Sequence, residues 1–252
     1  MRLKEQFKKD GDFLFAYRSY LPLILVPFIV LVVYNFGSPL YKNGAYSNEL
    51  VILALIVGIL GQAIRIFVAG FAPKDTSGRN TGGQKAASLN TSGIYSTCRN
   101  PLYLGNFLMM LSPVILVGNW IFMLCYCLAF WLYYERIIYA EEAFLGDKFG
   151  ESYSIWADST PCFFPKFSKF TKPTLSFSIK SMLRREYHSL FGLAASLFAV
   201  NFIEVFAELL EGGGSMIMPS YILSAFFGIC LIFYTICRIL VKKTNILLVE
   251  NR

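Results

Sequence analysis

Six stretches of the chain are almost wholly apolar, and polar or charged residues bound each of them. They are Tyr20–Phe36, Leu50–Phe71, Leu102–Val117, Trp120–Tyr139, Ser189–Leu210 and Met218–Leu240. A helix needs about 20 apolar residues to cross roughly 30 Å of hydrocarbon. The pattern therefore predicts an all-α polytopic membrane protein with about six transmembrane helices. The third stretch is short and is expected to tilt, its start in the headgroup layer. Pro22 suits a first helical turn and Pro27 predicts a kink. The arm before it, Met1–Ser19, alternates basic residues with Leu3, Phe7, Phe13, Leu14 and Phe15. It reads either as a helix lying on the membrane surface or as a loosely ordered basic tail. No small-x-small cleavage site follows Val33, so the first apolar stretch is expected to be a retained anchor.

Between the spans, Pro73–Ser92 is rich in Gly, Ser, Thr and Asn and predicts a loop. Gly118-Asn119 leaves room only for an antiparallel hairpin, and Gly212-Gly213-Gly214 predicts a second one. Phe144, Leu145, Phe149, Tyr153 and Trp156 predict a short amphipathic helix broken near Gly150 and ended by Pro161 and Pro165. Lys166–Arg185 reads as a basic, Ser-rich connector. Three regions follow: 1–72, an arm and first hairpin; 73–188, a core around the helix hairpin 102–139; and 189–252, a C-terminal hairpin. No internal repeat is visible.

Composition agrees with this class: 56% of the 252 residues are hydrophobic and 15% are charged. Of the 23 Lys and Arg residues, all but Lys42 fall in the two terminal segments and the two long loops. The positive-inside rule then places both termini and both long loops in the cytoplasm. The net charge of +7 is mostly this topology signal, and it would also attract anionic headgroups. Because the basic residues track the span ends, nucleic-acid binding is not expected. Cys125, Cys127, Cys230 and Cys237 lie within spans, Cys98 and Cys162 in loops, and His188 has no second ligand nearby. No disulfide or zinc framework is expected, and no metal.

Two blocks carry most of the candidate chemistry. The first is Gly93-Ile94-Tyr95-Ser96-Thr97-Cys98-Arg99-Asn100-Pro101-Leu102-Tyr103-Leu104-Gly105; the second holds Arg136, Glu141, Glu142, Phe149, Gly150 and Tyr153. Asn100-Pro101 is a helix-start signal, with Asn as cap and Pro in the first turn. A single hairpin joins the blocks, so the start of one helix and the end of its partner must lie together at one membrane face. Taken singly, Arg99 and Arg136 could be snorkelling residues, Glu141-Glu142 a solvated face, and the tyrosines an interfacial belt. On the fifth span, Asn201, Glu204, Glu208 and Glu211 form a stripe that reads as an outer-interface face rather than an ion path, with a protonated Glu204 packed against Asn201 as the alternative. Their cost falls near the membrane edge from about 2.5–3.5 kcal/mol at the centre.

Together the blocks resemble the isoprenylcysteine carboxyl methyltransferase and phospholipid methyltransferase superfamily, over about residues 89–165. The matching positions are Gly93, Tyr95, Arg99, Pro101, Tyr103 and Gly105, then Arg136, Glu141, Glu142, Leu145, Phe149, Gly150, Tyr153 and Pro165. Two positions depart: Asn100 stands where the family has His, and Trp156 where it has a second Tyr. The resemblance implies S-adenosylmethionine (SAM) in a cytoplasmic-side pocket, with a lipid or lipidated acceptor entering from the bilayer. It implies catalytic roles for Arg99, Arg136 and Glu142. Cofactor contacts are implied for Gly93, Tyr95, Asn100, Pro101, Tyr103, Gly105, Glu141, Phe149, Gly150 and Tyr153.

The residue types suit that cofactor. Carboxylates can hold its ammonium or ribose, rings can flank adenine, glycines let backbone approach, and helix-start amides can take an anion. A carboxylate or phosphate acceptor is already ionised and needs no base, so oxygen methylation is favoured, with Arg99 or Arg136 holding the acceptor anion. A prenylcysteine carboxylate or a lipid phosphate is expected; a phospholipid amine is the alternative. An NADPH-dependent membrane reductase and a transporter built on the acidic fifth span are readings of other classes. The membrane would be the inner membrane of a bacterium or the endoplasmic reticulum of a eukaryote.

Overall fold

The structure is a computed structural model that describes residues 2–36, 41–42, 45–46, 48–73, 84, 86–210 and 220–249. The polar loop expected at Pro73–Ser92 and the turn around Gly212–Gly214 lie largely outside the described residues. All six apolar stretches form helices: α2 (Leu21–Phe36), α3 (Asn48–Phe71), α4 (Pro101–Val117), α5 (Trp120–Phe149), α7 (Ile179–Leu210) and α8 (Tyr221–Lys243). Two more are α1 (Leu3–Tyr17) and α6 (Glu151–Ser159). A two-residue antiparallel ribbon pairs Tyr41–Lys42 with Ala45–Tyr46. Four helices, α3, α5, α7 and α8, are long and apolar enough to cross a membrane on their own. A fifth span arises if α1 and α2, bent by 67°, are counted as one; α4 is a shorter apolar helix. This is a multi-pass membrane protein.

Two helices run further than hydropathy alone predicts. The apolar part of α5 ends at Tyr139, about 30 Å from Trp120 at 1.5 Å per residue. The helix nevertheless continues to Phe149, because Glu, Ala, Leu and Lys propagate a helix as well in water as in lipid. The predicted break at Gly150 is present: its φ of 55° is a left-handed conformation that suits glycine, and α6 starts directly after it. Likewise α7 begins at Ile179, inside the expected connector, and so carries Arg185 and Glu186 on a helix. The arm forms α1, which packs along the projecting part of α5. There Gly11 lies against the backbone of Arg136 and the Ala140 side chain, and the Tyr133 hydroxyl donates to the Leu14 carbonyl at 3.0 Å.

The core divides into two clusters. Towards the α4–α5 connection, aliphatic residues from five helices interlock, among them Val33, Val51, Leu116, Leu197 and Leu223. A second cluster, running along α5 to the start of α4, is aromatic, with Phe15, Tyr103, Tyr126, Phe130, Tyr134 and Phe163. Asn201 and Glu204 are fully buried rather than turned outward, and Asn201 accepts a hydrogen bond from the Ser220 amide at 2.9 Å.

Helices α3 and α4 meet through glycines. A Cβ on Gly61 would stand 2.7 Å from the Gly105 carbonyl oxygen, and one on Gly105 2.7 Å from the Arg65 Cγ. Gly105 therefore opens space for a neighbouring helix, where the resemblance implied a ligand. Gly61→Val is expected to destabilise the protein by about 1–3 kcal/mol through overpacking, read as a lower unfolding temperature in detergent.

Candidate active site

The loop entering α4 and the segment leaving α6 run antiparallel. Gly93, at φ 62°, donates its amide to Thr171 at 3.1 Å; Lys166 donates to Thr97 at 2.9 Å; and Arg99 donates to Pro161 at 2.8 Å. Asn100 occupies the cap position of α4, but its side chain does not cap the helix. Its amide instead donates to the Cys162 carbonyl at 3.1 Å, so here Asn fastens the loop to the α6 exit. Pro101 is the first residue of α4, as expected.

Across this seam the two blocks meet. Arg99 Nε donates to Glu142 Oε1 at 2.9 Å, and its terminal nitrogens complete the ion pair and reach the Ala157 and Thr160 carbonyls. Those carbonyls sit at the C-terminal end of α6, where a cation is favoured. The Tyr103 hydroxyl donates to Glu141 Oε2 at 2.7 Å. Burial pushes the Glu141 carboxyl up to about 7, although the Tyr103 hydroxyl and the Arg18 charge pull it down and Glu142 pushes it further up. Burial likewise raises the Tyr95 phenol, helped by Glu141.

These groups line a cavity of about 810 Å³, within the roughly 300–1,000 Å³ usual for ligand sites. Tyr95, Arg99, Asn100, Tyr103, Glu141, Glu142, Tyr153 and Trp156 form its polar end, and Leu25, Ile29, Met109, Pro113 and Leu193 an apolar arm. The Tyr153 hydroxyl and the Trp156 indole N–H are buried and have no hydrogen-bond partner among the described residues. A buried donor without a partner costs about 1–3 kcal/mol, so the polar end suits a ligand with acceptor groups.

Not every expected residue reaches the cavity. Arg136 lies outside its lining; its Nε is 3.9 Å from Asp10 and its guanidinium stacks 5.0 Å from the centre of the Phe7 ring, fastening α1 to α5. Gly93, Gly105, Phe149 and Gly150 also stay out of the lining; Gly93 and Gly150 instead take positive-φ turns, and Gly105 admits the neighbouring helix α3.

Other residues do line it without having stood out in the sequence. Glu186 of α7 grips Arg65 of α3 at 2.8 and 3.0 Å. Arg65 also donates to Ser189 at 3.0 Å and to Asn106, whose amide reaches the Tyr134 hydroxyl at 3.3 Å. Arg18, stacked 3.7 Å from the centre of the Phe15 ring, contributes from the end of α1. The available signal was a charge at the edge of an apolar helix, which on its own reads as a span end. Among the described residues no group of three His, Cys, Asp or Glu could hold a metal ion.

Fold and cavity together define a multi-pass membrane protein with a cavity that is polar at one end and apolar along its arm. A profile of the family described as phospholipid methyltransferase matches residues 49–152. The chain is 30% identical over 175 residues to the cobalt-zinc-cadmium resistance protein CzcN of Cupriavidus metallidurans, covering 69% of this chain and 78% of that protein. It is 36% identical over 77 residues to the protein-S-isoprenylcysteine O-methyltransferase of Schizosaccharomyces pombe, 31% of this chain and 33% of that one. With the nickel-cobalt-cadmium resistance protein NccN of Alcaligenes xylosoxydans xylosoxydans it shares 32% over 124 residues, 49% of this chain and 57% of the relative. The chain belongs to the isoprenylcysteine carboxyl methyltransferase and phospholipid methyltransferase superfamily. No solved structure matches it.

Proposed function

We propose that the protein is a SAM-dependent methyltransferase acting on the oxygen of a lipid-bearing acceptor, a prenylcysteine-like carboxylate or a lipid phosphate. The observation that carries this reading is the polar end of the cavity. There Tyr153 and Trp156 present unpartnered donors beside Glu141 and the Arg99–Glu142 pair. The donor set fits SAM: Glu141 suits its ammonium, the Tyr153 and Trp156 donors its carboxylate or ribose, and Tyr95 and Phe144 its adenine. When bound, SAM supplies an electrophilic methyl group on a sulfonium, passed in line to the acceptor with a neutral thioether left behind.

The chain's own part is alignment and exclusion of water. Arg99 ties the start of α4 to the ends of α5 and α6, which holds the walls of the polar end at fixed separation. Arg136 lies outside the lining, whereas Arg99 and Arg18 both line the cavity near Glu141 and are the guanidiniums proposed to face an acceptor anion, since a planar guanidinium pairs with carboxylate or phosphate alike. The apolar arm would take the acceptor's lipid chain from the bilayer. The site end of the bundle faces the cytoplasm in this reading, since the basic residues concentrate there.

Titration of the purified protein with SAM and, separately, with NADPH tests the proposal: SAM is expected to bind, and NADPH binding without SAM binding rejects it. Incubating membranes with methyl-labelled SAM then identifies the acceptor; label on a phospholipid amine would favour nitrogen methylation. A pH series adds a sharper check. A carboxyl group that titrates near 7 is neutral below that value and charged above it. If Glu141 holds the SAM ammonium, affinity measured by calorimetry weakens below pH 7 by up to roughly tenfold per unit. Glu141→Gln is expected to flatten that profile; an unchanged slope removes Glu141 from the cofactor's contacts.

A further inference from the structure

The segment that leaves the site, residues 164–180, has a composition that the methyltransferase reading does not use. It contains Lys166, Lys169, Lys172 and Lys180 and no acidic residue, and the first three lysines alternate with Phe164, Phe167 and Phe170. The three rings are 74%, 75% and 55% exposed, and the four lysines are exposed as well. Exposed apolar groups in such number on a loop mark an interaction surface.

The contacts of the segment fix its height on the bundle. Just before it, Phe163 packs against Trp131 of α5 and Phe107 of α4, with ring centres 5.7 and 6.3 Å apart. The Lys166 amide is bonded to Thr97, four residues ahead of α4. Further on, Phe177 packs edge-on against Phe71, the last residue of α3, at 5.1 Å, and the Ser178 amide donates to Gly70 at 2.9 Å. The segment thus wraps the bundle where α3 ends and α4 begins, the level at which apolar spans give way to polar chain. At that level phenylalanine rings can reach the top of the acyl chains and lysines the phosphates; the Lys169 ammonium also donates to the Ser159 carbonyl at the end of α6.

We propose that residues 164–180 form an interfacial anchor that binds the headgroups of anionic phospholipids around the mouth of the site. Positive charge matched to an anionic surface supplies the selectivity, and the rings supply the depth. The anchor begins three residues after Pro161, whose carbonyl holds the Arg99 amide, so lipid binding also steadies the seam between the two blocks.

The test uses the full chain in nanodiscs of phosphatidylcholine with and without phosphatidylglycerol. In a Phe167→Trp variant, lipids brominated near the headgroup end of the acyl chain are expected to quench fluorescence beyond the level of the parent protein, and aqueous acrylamide to quench the added tryptophan weakly. Strong acrylamide quenching with no excess from brominated lipid overturns the anchor. Separately, replacing Lys166, Lys169, Lys172 and Lys180 by Gln is expected to reduce phosphatidylglycerol retained on the purified protein, read by native mass spectrometry, by at least about tenfold. Each lysine near an anionic surface accounts for roughly fivefold. Unchanged retention in a variant of native helical content overturns the lipid preference. Should that variant not fold, Lys172→Gln alone is expected to lower retention roughly fivefold, and no change there has the same meaning.

Discussion

Arg99→Ala is expected to lower methyl transfer by on the order of a hundredfold or more, with the helical content of the protein unchanged. The guanidinium joins Glu142 at the end of α5 to two carbonyls at the end of α6, and its own amide is bonded to Pro161. Its removal leaves a half-buried carboxylate without its partner and frees α6, which carries Tyr153 and Trp156. A displacement of about 1 Å among aligned groups costs on that order in rate. Arg99→Lys is expected to recover little, because an ammonium lacks the planar fork that reaches a carboxylate and two carbonyls together. Glu142→Gln keeps the shape and loses the charge, so a smaller loss is expected from it. The measurement is transfer of labelled methyl to reconstituted membranes, beside SAM affinity by calorimetry. Full activity in Arg99→Ala would remove the Arg99–Glu142 pair from the working parts of the site.

Breaking the second ion pair is expected to act on stability. Glu186 is 5% exposed and Arg65 15% exposed at the side chain, and Gln62 adds a contact to the same carboxylate at 3.4 Å. Glu186→Ala leaves a guanidinium enclosed without its counter-charge, which costs about 3–5 kcal/mol. At two to four degrees per kcal/mol for a chain of this size, the unfolding temperature falls by about 10 °C. The double variant Arg65→Met, Glu186→Leu is expected to regain most of that loss, since apolar residues of similar volume can replace a buried pair. If the single and double variants unfold at the same temperature, the pair has no coupling worth the name.

The contrast between these two pairs shows what could be read from the chain. Arg99 and Glu142 come together because a two-residue connection returns α5 alongside α4, a constraint visible in hydropathy alone. The Tyr103–Glu141 bond follows from the same hairpin. The Gly150 break was legible too, since a helical pattern straddles a glycine. Arg65 and Glu186 lie on helices joined through the whole intervening core, and no local pattern says which faces of α3 and α7 meet. Arg136 shows a related limit: it belongs to the same block, but helical rotation turns it towards α1 rather than the cavity. Gly105 illustrates the same limit, because a glycine in a helix is silent about whether it admits a ligand or a neighbouring helix.

Helix α5 runs without interruption from its Asn119 cap, where the side chain accepts the Phe122 amide at 3.0 Å, to Phe149, a rod of about 45 Å. Glu141 and Glu142 ride on the far end of that rod, so their elevation is tied to the hydrophobic thickness of the host bilayer. In a thinner membrane the rod must lean, and leaning shifts both carboxylates relative to the plane in which an acceptor's headgroup floats. On the proposed function, lipid tail length would thereby act on turnover without any contact between the tails and the reacting groups.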